Sequence, residues 1–238
     1  MAKHDLDGRV ALVTGASKGI GASTALALAE AGVHVILTGR DVRALEAVED
    51  RIHDAGGNAT IAPVDLTEAD GISRLATAIG SRWDMLDILV LSAAYLPTLT
   101  PVTQIDPKQF STALTTNLLA TQALLAAFDP LLKRSGRARV IGLTSSVGTQ
   151  PRAFWAAYGT TKAAFESLLD SYAAEVEKIG DVRVAIVDPG ATRTAMRAKA
   201  YPGEDPATVK EPGVVAEAIV GLIAEGFETR HRLRVASD

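Results

Sequence analysis

At 238 residues, with 47% hydrophobic and 22% charged side chains, the chain is long enough for one sizeable core and too apolar for wholesale disorder. A formal net charge of -4 offers nucleic acid no electrostatic footprint, and the lack of cysteine excludes disulfides, thiolate chemistry and sulfur-ligated zinc. No apolar signal-peptide core follows Met1 and no run approaches the roughly 20 apolar residues of a membrane span, so a cytoplasmic protein without membrane partners is expected.

In chain order, short β-branched runs alternate with longer helical patterns. Strands are expected at 10–14, 33–38, 59–64, 87–91, 138–144 and 182–187. Helices are expected at 19–31, 41–55, 68–80, 106–133 and 154–178, and residues 217–225 and 233–236 add a last helix and a short edge strand. Alternation of this kind specifies βαβ units. The fold class is therefore α/β, a doubly wound, mostly parallel, Rossmann-type sheet in a single domain over 1–238. Residues 189–212, punctuated by Pro202, Gly203, Pro206 and Pro212, are the least regular stretch, and a loop of that length in a compact domain reads as an active-site lid or, less functionally, a surface excursion.

The segment Thr14-Gly-Ala-Ser-Lys-Gly-Ile-Gly21 joins the first strand to the first helix. Gly15, Gly19 and Gly21 permit a tight turn and let the backbone, with Ser17, Lys18 and Ile20, approach a pyrophosphate at the helix N-terminus. The second strand ends Leu37-Thr38-Gly39-Arg40, where an NAD-binding chain commonly carries an acid for the ribose 2′-hydroxyl. Arg40, with Lys18 nearby, instead suits the 2′-phosphate of NADP (NADPH), and NAD is the less favoured cofactor. Asp41 fits the N-cap of the next helix. Further along, Tyr158 and Lys162 stand four apart, thirteen residues after Ser145. That spacing stacks both side chains on one helical face, where an ammonium favours the ionised phenol. A phenol is otherwise a poor acid–base catalyst at neutral pH. With the glycine loop, the pair points to hydride transfer from a nicotinamide.

Together these residues resemble the short-chain dehydrogenase/reductase family, in the branch with the Thr-Gly-x-x-x-Gly-x-Gly loop and the Tyr-x-x-x-Lys pair, over nearly the whole chain. A nearer resemblance is to a poorly characterised bacterial oxidoreductase subgroup. The resemblance implies that Ser145 and Tyr158 contact the reacting oxygen, that Lys162 holds the nicotinamide ribose and lowers the tyrosine pKa, and that Asn117 sits in the proton relay. It also implies an adenine contact at Asp65 beside Leu66, cofactor contacts at Ala93, Pro189 and Gly190, a carboxamide contact at Thr192 and a phosphate contact at Thr194. One departure stands out: Leu91-Ser92-Ala93-Ala94 occupies the place of the family's Asn-Asn-Ala-Gly. The family expectation for assembly is a homodimer or homotetramer.

The implied partner is a small carbonyl or alcohol substrate. Tyr95, Leu96, Leu99, Phe154, Trp155, Met196 and Tyr201 are candidates to face it, or to fill a core or subunit interface. Arg193, Arg197 and Lys199 either receive an anionic tail or are simply solvated. His4, His34, His53 and His231 show no metal-ligand spacing, so no metal site is expected. Two other readings are a ketoacyl-carrier-protein reductase and a non-catalytic NADP-binding module, the second opposed by the intact Asn117, Ser145, Tyr158 and Lys162.

Overall fold

The computed structural model describes residues 6–236. The elements run β1 (Val10–Thr14), α1 (Gly19–Glu30), β2 (His34–Thr38), α2 (Val42–Asp54), β3 (Asn58–Ile61), α3 (Gly71–Gly80), β4 (Ile88–Leu91) and α4 (Pro107–Leu114) in the first half. The second half holds α5 (Ala120–Ser135), β5 (Arg139–Leu143), α6 (Ala156–Val176), β6 (Arg183–Asp188), α7 (Ala195–Ala200), α8 (Pro212–Glu225) and β7 (His231–Arg234). The strands form one sheet in the order β3-β2-β1-β4-β5-β6-β7, and every pairing is parallel. The mostly parallel sheet expected from sequence is parallel throughout the described residues, because the last strand is delivered by a helical crossover, α8, and not by a hairpin.

Strand order reverses between β1 and β4, the switch point at which such sheets open a crevice beyond their carboxyl ends. The register sets Thr14 level with Thr38 on one side and Leu91 on the other, so three strand ends open into the same crevice. β4 is buried at all four positions, as a strand covered on both faces must be. Alternating residues divide the core: Ala11 and Val13 pack with α1, α2 and α8, whereas Leu12 packs with α3, α5 and α6. α2 follows the helical period, burying Leu45, Val48 and Ile52, each such side chain worth about 1.5–3 kcal/mol when removed from water.

α6 lies unusually close to the sheet. A Cβ added to Gly142 would meet Leu169 Cδ1 at 2.2 Å, and one added to Gly159 would meet the Val147 carbonyl at 2.8 Å. These two approaches set α6 close over β5 and the turn that follows it.

Three sequence expectations change in detail. The helix over 106–133 contains a π turn at Thr115–Leu119, which carries Asn117. The segment 189–212 is more regular than its composition suggests, holding α7 and a 3-10 turn at Pro206–Thr208. The last helix starts at Pro212, not at 217, because proline suits the first helical position, where no N–H is needed.

Candidate active site

A cleft of about 350 Å³ opens at the crevice. Among the residues singled out in the sequence, Gly15, Ser17, Lys18, Gly19, Ile20, Gly21, Arg40, Asp65, Leu66, Ala93, Tyr158, Lys162, Pro189 and Thr194 line it. One half is built by backbone. A Cβ on Gly15 would lie 2.9 Å from Ala93 Cα, and one on Gly21 would lie 2.3 Å from the Gly15 carbonyl oxygen. The Thr14 hydroxyl donates to the Val90 carbonyl (3.1 Å) and accepts from the N–H groups of Ser92 (3.0 Å) and Ala93 (3.1 Å). Thr14 therefore straps the loop after β4 to β1. These two bonds hold Ala93 close against Gly15.

At the N-terminus of α1 no side chain caps the helix and no acid occupies its first turn, so orphan N–H groups and the positive end of the dipole face the cleft. Arg40 projects from the end of β2 with its side chain 72% exposed, 3.9 Å from Asp65, a loose pair that leaves the guanidinium available. Asp65 accepts from the N–H (2.9 Å) and hydroxyl (2.7 Å) of Thr67, and these bonds hold its carboxyl below the usual range, with Arg40 adding to the effect. Asp41 caps α2 through the Ala44 N–H at 3.1 Å, as expected for that residue.

The other half is built by side chains. Tyr158 and Lys162 stand on one face of α6, 5% and 3% exposed. Lys162 Nζ donates to the Leu143 carbonyl at 2.6 Å, and burial pushes its pKa down to about 8 against the opposing charge of Glu166. Nζ lies 5.8 Å from the centroid of the Tyr158 ring. The phenol is raised above its ordinary value, first by burial and then by the Asp188 charge. A lowered phenol pKa was the sequence expectation; desolvation outweighs the lysine here, whose own bond goes to backbone. The Tyr158 hydroxyl faces Met196 Sδ at 3.9 Å.

The short chain dehydrogenase family model matches residues 9–205. The chain belongs to the short-chain dehydrogenase/reductase family. It is 34% identical over 240 residues to the uncharacterised oxidoreductase YciK of Escherichia coli strain K12, covering 99% of this chain and 94% of that one. A short chain dehydrogenase from Escherichia coli CFT073, complexed with NADPH, superposes with a TM-score of 0.93 at 32% identity, with 100% of both chains covered. A 3-oxoacyl (acyl-carrier-protein) reductase from Agrobacterium tumefaciens C58 with NADP bound gives 0.88 at 29% identity, covering 99% of this chain and 96% of the other.

In this short-chain dehydrogenase/reductase, four of the singled-out residues, Asn117, Ser145, Gly190 and Thr192, adjoin the cleft without lining it. The Asn117 side chain accepts from the Tyr95 N–H (2.7 Å) and donates to the Tyr95 carbonyl (3.0 Å) and the Thr161 hydroxyl (2.9 Å). It ties the loop after β4 to α6, and the π turn that carries it is a recurrent device at functional sites. Ser145, in extended backbone and half-buried, precedes the turn Ser146–Gly148 next to Thr144, which does reach the cleft. Thr192 is buried with its hydroxyl on the Pro189 (3.1 Å) and Gly190 (3.3 Å) carbonyls. Gly190, at φ 63, packs against Lys210 and Val235, and Thr194 caps α7 through the Arg197 N–H.

Sequence reasoning passed over Glu166. One of its carboxylate oxygens accepts from the Thr144 hydroxyl at 2.6 Å and the other from Arg232 of β7 at 2.5 Å, with the residue 5% exposed. Its position four residues beyond Lys162 was the available signal.

Proposed function

We propose that this chain is an NADP(H)-dependent oxidoreductase that exchanges hydride between the nicotinamide and a carbonyl or alcohol substrate, with Tyr158 as the acid and base. The observation that carries the reading is the meeting, in one cleft, of a glycine cradle that no side chain could share and a buried Tyr158–Lys162 pair. The residues present fit a dinucleotide. Gly15, Gly19 and Gly21 clear a path to the uncapped N-terminus of α1, where Ser17, Lys18, Ile20 and Thr194 would hold the pyrophosphate. Asp65 and Leu66 would flank the adenine, and Ala93, Pro189, Gly190 and Thr192 would border the nicotinamide end. Arg40 and Lys18 favour a 2′-phosphate, and the two similar structures described above carry NADPH and NADP in their own crystals.

When bound, the nicotinamide supplies or accepts the hydride at the carbonyl carbon. Tyr158 Oη gives a proton to the carbonyl oxygen in reduction and takes it back in oxidation. The phenol's raised pKa keeps it protonated and ready to donate at neutral pH. Lys162, charged below about pH 8, would hold the ribose and steady the phenolate left after donation. Ser145 would donate to the reacting oxygen, as side-chain oxyanion donors do. Asn117 keeps the loop carrying Tyr95 fixed to α6, which places the relay. The segment 189–212 acts as a lid that excludes water. A homodimer or homotetramer in the cytoplasm completes the proposal; exposed Leu119 (57%) and Phe154 (55%) would be covered by such assembly.

Reduction of acyl thioesters is the second reading, favoured by the likeness to the 3-oxoacyl reductase. One panel decides: ketones, aldehydes and acyl thioesters mixed with the protein and NADPH, followed by loss of NADPH absorbance. Turnover of a ketone or aldehyde is the expected result. Turnover of thioesters alone favours the second reading, and silence across the panel with NADPH bound favours a binding module.

A further inference from the structure

Two charged side chains of α6 are buried, Lys162 and Glu166, and they stand one helical turn apart on one face. Lys162 Nζ gives its short hydrogen bond to a neutral acceptor, the Leu143 carbonyl, and makes no direct ion pair among the described residues. Aromatic rings fill much of the space around it, with the centroid of Phe165 at 4.6 Å and that of Tyr158 at 5.8 Å. An ammonium in such a place sheds its proton unless a charge of opposite sign is near.

The Glu166 carboxylate is held from two other elements. Thr144, next to Leu143 at the end of β5, donates to it at 2.6 Å, and Arg232 of β7 donates at 2.5 Å. A Cβ on Gly148 would stand 3.0 Å from Glu166 Oε1, so the turn after β5 closes on the same group. Joining β7 to α6 does not require this buried acid, because Arg232 already meets Asp170 at 2.6 Å on the outer rim. Burying a second carboxylate costs desolvation that a mere link leaves without purpose. The other titratable groups around the pair are Tyr158 on α6, Asp188 at the end of β6 with Arg234 at 3.8 Å, and Arg230, paired with Glu177.

We propose that Glu166 is a positioning residue that acts through Lys162: its carboxylate, fixed by Thr144 and Arg232, is the buried counter-charge of the Lys162 ammonium. Burial lowers Lys162 to about 8 and the Glu166 charge opposes that fall, so without it the ammonium is lost at lower pH. Arg232 carries the opposite sign, and its removal relieves Lys162 of a repelling charge. The inference rests on the hydride-transfer reading, in which Lys162 is the working ammonium.

The test is the pH titration of Lys162 itself, followed by NMR of its Cε in protein with isotope-labelled lysine and assigned by its absence in Lys162→Ala. Glu166→Gln keeps the shape and an oxygen for Thr144, and its Lys162 midpoint should fall by about 1 pH unit, the smallest effect usual for a close opposite charge. The alkaline limb of kcat/KM for NADPH should move to lower pH by the same amount. In Arg232→Gln the midpoint should hold or rise, whereas general loosening of α6 would move both variants the same way. An unmoved midpoint in Glu166→Gln, a fall in Arg232→Gln, or a shifted resonance with an unshifted limb overturns the proposal. If the unmodified protein consumes no NADPH with any ketone, the hydride-transfer reading fails by itself, and the two resonance midpoints still decide whether Glu166 is the counter-charge.

Discussion

The two halves of the cleft are made of different material. On the β1–α1 side the shape is set by backbone: glycines at closest approach, a strap from Thr14 and the free N–H groups of α1. On the α6–α7 side it is set by side chains from segments far apart in sequence, with Met196 and Trp155 resting on Tyr158. A backbone cradle tolerates almost no substitution but is indifferent to which chemistry follows. A side-chain cluster can be repacked residue by residue.

The largest effect that would break this contrast is expected at Gly21. Its added Cβ would stand 2.3 Å from the Gly15 carbonyl, and neither backbone segment can yield. Gly21→Ala should lose about 1–3 kcal/mol of stability by overpacking and all measurable NADPH binding. Gly203→Ala, in the segment over the substrate side with nothing within 4 Å of its added Cβ, should change neither. Thermal unfolding and cofactor titration on the two variants check the pair, and a tolerant Gly21 would remove the distinction.

The pH profile probes the junction of the halves. Lys162 has its pKa depressed by burial to about 8, so the charged form is lost as pH rises through that value, while Tyr158, raised by burial, stays protonated. Because kcat/KM reports the free enzyme, its value for NADPH in the reductive direction should fall above about pH 8 by roughly 10-fold per pH unit. A profile flat to pH 9.5 would remove Lys162 as the required ammonium.

A smaller effect should come from the cofactor rim. Arg40 is exposed and only loosely paired with Asp65. Arg40→Asp should weaken NADPH binding by about 10-fold or more, since hydrogen bonds to charged groups are worth about 1.5–3 kcal/mol, and should make NADH the tighter ligand. Fluorescence titration of both cofactors reads it, and equal affinities in the unmodified protein would end the NADP assignment.

The same contrast explains what could be read in advance. Sheet, helices and glycine loop were legible because periodicity and glycine placement are local signals, and Tyr158 and Lys162 because four residues span one helical turn. The contacts of Met196, the pairing of Arg197 with Glu204 and the bond from Arg232 to Glu166 were not, since they depend on how a 24-residue segment folds back or on a strand 66 positions away. Thr192 was assigned by its place in a motif, and its buried hydroxyl turned inward to its own loop. α7 was missed because 189–212 was read whole as irregular from the prolines and glycines on either side, although 195–200 is free of both.

The central claim is that Tyr158 works on the substrate oxygen while Lys162 serves both cofactor and phenol. Tyr158→Phe keeps the ring and removes only the oxygen, so NADPH affinity should stay within about twofold, while kcat falls by at least the 10²- to 10⁴-fold typical of general acid–base catalysis. Lys162→Ala should damage both quantities. Measured side by side on one ketone, that split is the result the account predicts; a Tyr158→Phe protein that keeps most of its kcat would contradict it.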